Sequence, residues 1–210
     1  MIRLDIFSDP VCPWCYIGKA NLDRALEAAP GHPFVVAWHP FQLNPEMTAQ
    51  GVDRASYLEA KFGGPDRAAQ IYARVQQAAA RAGLDIDFAA VPRVPNTLDA
   101  HRLVHWAALE GRQAAVVSAL FRAYWREARD IGDPAELAQI AGQAGMDAAM
   151  TARLLASDAD RDDIAARDAD ARHKGVTAVP TFLIAQHYVL SGAQPPEVWS
   201  QVIAELAAQV

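Results

Sequence analysis

The sequence predicts an α/β protein: a βαβ unit at the amino end, a ββα unit at the carboxyl end, and a long all-helical block between them. Three observations predict it. Strand-like apolar runs occupy only the two ends, helical periodicity fills the middle, and the two cysteines sit three residues apart where the first strand gives way to the first helix.

Residues 2–7 alternate, with Ile2, Leu4 and Ile6 on one face and Arg3, Asp5 and Phe7 on the other, which defines a strand. Asp9-Pro10 breaks it, and Cys12 opens a helix through Tyr16, Leu22 and Leu26. Pro13 suits the first helical turn, where a missing N–H costs nothing. Pro30-Gly31-His32-Pro33 is a turn. Phe34 to Leu43, rich in β-branched and aromatic residues, reads as the second strand.

From about 54 to 174 the period is helical, with start and stop signals along it. Pro65-Asp66 starts one helix and Gly83 stops it; Asn96, with Asp99 three residues on, starts another that Gly111 ends; Asp133-Pro134 starts a third ending near Gly145; Gly175 ends the last. Side-chain oxygens at the starts satisfy orphan N–H groups, and glycines at the ends supply left-handed backbone. Thr181–Ile184 and Tyr188–Ser191 then read as two strands joined through Ala185-Gln186-His187. Pro195-Pro196 opens a final helix whose apolar residues Val198, Trp199, Val202, Ile203 and Leu206 share one face.

Composition narrows the function classes. Hydrophobic residues make up 52% and charged residues 21%, enough to build a packed core. The net charge is −6 with scattered basic residues, so no basic stripe is available to neutralise a nucleic-acid backbone. No stretch is long and apolar enough to span a bilayer, so no membrane partner is expected. The start Met1-Ile2-Arg3-Leu4-Asp5 lacks a basic region followed by an apolar run, and a cytoplasmic location is expected.

A Cys12–Cys15 bridge would close too small a loop to restrain the unfolded chain, so the pair points to chemistry rather than to stapling. A helix N-terminus presents unpaired N–H groups and a positive dipole end, and both favour a thiolate at Cys12. Thiolate is the nucleophile of disulfide exchange. Cys15, one turn further in, is placed to resolve the resulting mixed disulfide. The competing reading is half a zinc site. Structural zinc takes four ligands. The chain has no further cysteine, and His101 and His105, at helical spacing, have Arg102 where a zincin helix needs glutamate. No metal is expected.

Ser8-Asp9-Pro10-Val11-Cys12-Pro13-Trp14-Cys15-Tyr16-Ile17-Gly18-Lys19 closely resembles the FrnE-like branch of the DsbA-family oxidoreductases. Trp38-His39-Pro40-Phe41-Gln42-Leu43-Asn44-Pro45, Pro95-Asn96-Thr97, Ala100-His101-Arg102-Leu103, Val179-Pro180-Thr181-Phe182 and Ser191-Gly192-Ala193-Gln194 extend the resemblance, in order, over nearly the whole chain. The resemblance implies a thioredoxin-like fold formed by 1–43 and 176–210, with 44–175 as an inserted helical domain. It implies a cis Val179-Pro180 bond facing Cys12, with Pro180 part of the catalytic centre. In such proteins the loop around it presents backbone to an extended substrate, and Val179 influences its release. Pro13, Trp14, Val179 and Thr181 are therefore candidate substrate contacts. By the same resemblance Asp5 is a candidate to relay a proton to the buried cysteine; the alternative is a strand aspartate facing solvent.

Trp14 offers an apolar rim for a partner, whereas Tyr16 reads better as packing. His39 and His101 are candidates near the thiolate, each with a core or surface role as the blander reading. Asn96 reads first as a helix cap. Gln194, in Ser191–Gln194, could contact a peptide or glutathione backbone.

Three functions remain open. The first is a thiol–disulfide oxidoreductase or isomerase acting on protein or small-molecule thiols and disulfides. It needs no cofactor beyond its own cysteine pair, with glutathione as a possible co-substrate. The second is a glutathione-dependent isomerase or transferase of the kappa or hydroxychromene-carboxylate isomerase type. Those typically carry serine at the first active position, and Cys12 and Cys15 argue against that reading. The third is a holdase-like binding module using the rim at Trp14.

Overall fold

The structure is a computed structural model that describes residues 1–208. Strand β1 (Ile2–Ser8) lies parallel to β2 (Phe34–Pro40), with Leu4 opposite Val36 and Ile6 opposite Trp38. Between them runs helix α1 (Pro13–Ala28). Near the carboxyl end β5 (Thr181–Ile184) pairs antiparallel with β1, and β6 (Tyr188–Ser191) antiparallel with β5. The sheet order is β2-β1-β5-β6, so the two ends of the chain form one sheet with β1 at its centre. Ala185 and Gln186 both adopt positive φ, which makes the tight turn between β5 and β6.

Helix α9 (Pro196–Ala207) packs on this sheet through Trp199, whose indole meets the Phe182 ring edge-on at 4.8 Å. Helix α1 reaches the same side. A Cβ built on Gly18 would stand 3.0 Å from Pro180 Cγ and 3.4 Å from Phe182 Cζ, so glycine is what lets α1 approach the Pro180 loop.

Between β2 and β5 in sequence come α2 (Arg54–Phe62), α3 (Pro65–Arg81), α4 (Leu98–Leu109), α5 (Gln113–Trp125), α6 (Pro134–Gln143), α7 (Ala148–Leu155) and α8 (Arg161–His173). The expected starts and stops are found. Asp133 accepts from Ala135 N–H at 2.8 Å, and Gly83, Gly111, Gly145 and Gly175 all have positive φ. Helices α4, α5 and α8 pack on β2, and Leu103, Leu120, Phe121 and Trp125 fill the junction.

Fully buried Arg102 ties the helices together. Its guanidinium donates to the carbonyls of Ala159 (2.7 Å), Leu154 (2.8 Å) and Ser157 (2.8 Å) and pairs with Asp99 at 2.8 Å. This arginine binds the turn between α7 and α8 to α4.

Two expectations need correction. Strand β2 ends at Pro40 rather than Leu43, because the next amides find other acceptors. Gln42 N–H donates to Asp168 Oδ1 and Leu43 N–H to Asp9 Oδ2, each at 2.7 Å. The helical middle also contains a small ribbon, β3 (Val52–Asp53) against β4 (Arg93–Val94). Two-residue strands are too short to leave an alternating pattern.

Candidate active site

Cys12 is the N-cap of α1, with extended backbone at φ −89° and ψ 114°. Its carbonyl accepts from the N–H groups of Cys15 (3.1 Å) and Tyr16 (3.3 Å) and so begins the helix. Pro13 occupies the first turn, as expected. The Cys12 thiol points across to the loop before β5 and donates to the Val179 carbonyl at 3.6 Å. The Val179-Pro180 bond is cis. Cys15 lies one turn deeper and fully buried. Burial and the adjoining Cys12 push its thiol well above the usual range, with the Ser8 hydroxyl and the Asp9 backbone acting against this. The two sulfurs thus differ in setting: one at the helix mouth, one sealed in the core.

Trp14 is 38% exposed in the first turn of α1, after Cys12. Tyr16 stacks on Phe121 with ring centroids 5.2 Å apart, so its role is packing. Thr181 is buried, and its hydroxyl donates to the Ala178 carbonyl at 2.7 Å, closing the loop that carries Val179 and Pro180.

The other candidates are placed elsewhere. Asp5 is buried rather than solvent-facing, but its Oδ1 takes Arg3 Nε and His39 Nε2, each at 2.6 Å. The Ser8 hydroxyl and the Asp9 backbone are neighbours of Cys15, while the Asp5 carboxylate is engaged by Arg3 and His39. His39 is occupied by that pairing, and burial lowers its affinity for a proton. Asn96 lies one residue before Thr97, the N-cap of α4; its Oδ1 accepts from Leu98 N–H at 2.9 Å, while its Nδ2 donates to the Met47 carbonyl at 2.7 Å. The Gln194 side chain turns back onto the Ser191 carbonyl at 2.7 Å, and its own carbonyl accepts from Asn21 Nδ2 at 2.9 Å.

Asp9 is the site residue that sequence reasoning missed. Its carboxylate is fully buried in the loop between β1 and α1. It accepts from Val11 N–H (3.3 Å) and Leu43 N–H (2.7 Å), fastening the Cys12 loop to the exit of β2. Burial pushes it up to about 6, against the pull of those amides and of the Thr97 hydroxyl. His101 Nε2 stands 4.0 Å from Asp9 Oδ1 and has no hydrogen-bond partner among the described residues. Burial pulls this imidazole down to about 4, although the charge on Asp168 works the other way. The signal for Asp9 was present, since an aspartate two residues before a backbone amide favours an Asx turn.

Trp125 fastens the same loop from the other side, its Nε1–H donating to the Pro10 carbonyl at 3.0 Å. The Cys12 loop is therefore held by β2, α4 and α5 as well as by its own strand and helix.

Comparison with known proteins agrees with this architecture. The family model of the DSBA-like thioredoxin domain matches residues 3–204, and the chain belongs to that family. It is similar to the crystal structure of a probable DsbA oxidoreductase from Streptomyces coelicolor, with 32% identity and a TM-score of 0.87 over 100% of this chain and 92% of that one. The uncharacterized protein YwbO of Bacillus subtilis (strain 168) is 29% identical over 97% of this chain and 96% of its own length. The cytosolic disulfide reductase DsbM of Pseudomonas aeruginosa shares the fold at 20% identity and a TM-score of 0.71, covering 99% of this chain and 100% of that one. The FrnE-like branch within the family is not distinguished by these matches.

Proposed function

We propose that the protein is a thiol–disulfide oxidoreductase in which Cys12 is the nucleophile and Cys15 the resolving thiol. The observation that carries the reading is the placement of Cys12. It caps a helix N-terminus, faces the backbone before Pro180, and has a second thiol buried one turn below.

The exchange runs in two displacements. The Cys12 thiolate, at the positive dipole end of α1, attacks one sulfur of a substrate disulfide and expels the other as a thiolate. Cys15 loses its proton and attacks Cys12 Sγ, releasing the second substrate thiol and leaving a Cys12–Cys15 disulfide. Two electrons pass from the pair to the substrate, and the reverse sequence oxidises a substrate dithiol. The burial that holds Cys15 protonated at rest keeps it from competing with Cys12 for the first attack. The Val179 carbonyl that meets the Cys12 thiol is a backbone group an extended substrate can share.

Reduced protein should reduce the interchain disulfides of insulin, and Cys12→Ser should abolish the activity. Cys15→Ser should instead accumulate a mixed disulfide through Cys12. Full insulin reduction by the Cys12→Ser protein would refute the assignment.

A further inference from the structure

Arg54, the first residue of α2, is 6% exposed and forms no ion pair among the described residues. A guanidinium taken out of water without a carboxylate is expensive, and proteins rarely retain one for packing alone. Its held position is well defined. Nη2–H donates to Tyr72 Oη at 2.7 Å, and the guanidinium carbon lies 5.1 Å from the Tyr72 ring centre and 5.4 Å from that of Trp125. With the Tyr124 hydroxyl as a further partner, these contacts are all to neutral groups and bring no carboxylate to the charge.

Arg54 lines a cavity of about 530 Å³ whose walls are otherwise mostly apolar: Leu58, Ala68, Tyr72 and Phe88 among them, with Glu59 as its carboxylate. A second cavity of about 580 Å³ shares Tyr72 and Phe88 with the first and extends it along α3. The first has the dimensions of a small-ligand cleft. Trp125 links the cleft to the Cys12 loop. Trp125, on which Arg54 stacks, holds the carbonyl of Pro10, two residues before Cys12.

We propose that Arg54, with the Tyr72 hydroxyl, is a carboxylate-binding subsite that orients acidic thiol and disulfide substrates on Cys12. The proposal rests on the redox reading of Cys12 and names the chemistry of what that site accepts. A carboxylate entering between Leu58 and Phe88 meets an unpaired cation in surroundings of low polarity, where a charge pair is worth more than in water. Two sources supply such a group: a free acidic thiol of tripeptide size, or a glutamate near a cysteine in an unfolded protein client. Both present the same chemistry to Arg54.

Binding tests this without any disulfide exchange, so its failure and that of the insulin assay are separate events. S-methylglutathione and its dimethyl ester are titrated calorimetrically into wild type, Arg54→Met and Arg54→Lys. A second pair of probes is a capped, S-methylated cysteine peptide bearing glutamate or glutamine two residues away. Wild type should prefer the acid over its neutral partner by about tenfold or more in at least one pair, the worth of a charge-assisted hydrogen bond. Arg54→Met should lose that preference and Arg54→Lys should keep part of it. A preference in the first pair assigns a free acidic thiol; one confined to the second assigns a protein client. Thermal unfolding of Arg54→Met checks the fold, and its midpoint should equal or exceed that of wild type, because an uncompensated buried cation has been removed. Equal preference in wild type and Arg54→Met, or no measurable binding of either acid by wild type, overturns the subsite.

Discussion

Asp9 and His101 should conceal one another in the pH dependence of stability, and removing either should expose its partner. Asp9 rises from 3.8 to about 6 on folding, so the folded state holds a proton that the unfolded state releases. Its stabilising contribution is complete below pH 3.8 and is lost as pH climbs through about 6. His101 falls from 6.5 to about 4, the opposite sense: its contribution is complete above pH 6.5 and is lost as pH drops through about 4. At about 1.4 kcal/mol per pH unit, each span of roughly two units amounts to about 3 kcal/mol. Between pH 4 and 6 the two slopes are of similar size and opposite sign. In Asp9→Asn, urea unfolding should therefore show stability rising by about 1 kcal/mol per pH unit between pH 4.5 and 6, relative to wild type. In His101→Gln it should fall with pH by a comparable slope. The absolute stability of Asp9→Asn will also drop, because an amide oxygen cannot replace two carboxylate acceptors. The slope, not the intercept, carries the argument. Difference profiles that are flat for both variants would refute it.

Gly18→Ala should destabilise by about 1–3 kcal/mol and slow alkylation of Cys12, because the added methyl meets Pro180 Cγ at 3.0 Å; chemical unfolding and iodoacetamide kinetics check this. Arg102→Leu should cost about 3–5 kcal/mol, measured by urea unfolding, since three carbonyls lose a charged donor together and Asp99 is left with Arg161 alone. Trp125→Phe removes the hydrogen bond to the Pro10 carbonyl and should cost about 1–2 kcal/mol, read from the thermal midpoint corrected to free energy.

The fold was legible where local chemistry and tertiary structure agree. The alternation in residues 2–7, the proline after Cys12 and the glycines closing the helices all describe backbone states that neighbouring residues impose. The hairpin Thr181–Ile184 and Tyr188–Ser191 was legible to its ends for the same reason. The end of β2 was not, because Gln42 and Leu43 are strand-like residues whose amides are claimed by carboxylates from elsewhere in the chain.

In the site, Cys12, Cys15 and Trp14 announced themselves through residue type and position on one helix. The partners of Asp5 and Asp9 did not. Asp5 lies within β1 and Asp9 just past its end, and what each carboxylate meets is set by residues distant in sequence, His39 for the first and Leu43 for the second. Asn96 and Gln194 were matched by segment, yet a segment can be placed beside a site while its side chain serves the backbone of its own turn. Arg54 gave no sequence signal at all, since an arginine opening a helix is ordinary until its surroundings are seen to exclude water.

The loop from Asp9 to Val11 is moored at both flanks by groups more than thirty residues away, through Leu43 on one side and Trp125 on the other. Such a segment cannot fray alone. Freeing the Val11 amide requires the sheet and helices to part, so its exchange with deuterium should be as slow as that of the central strand. Cys12 is consequently carried on a fixed post, and in the proposed reaction any client polypeptide must supply the suppleness that docking demands.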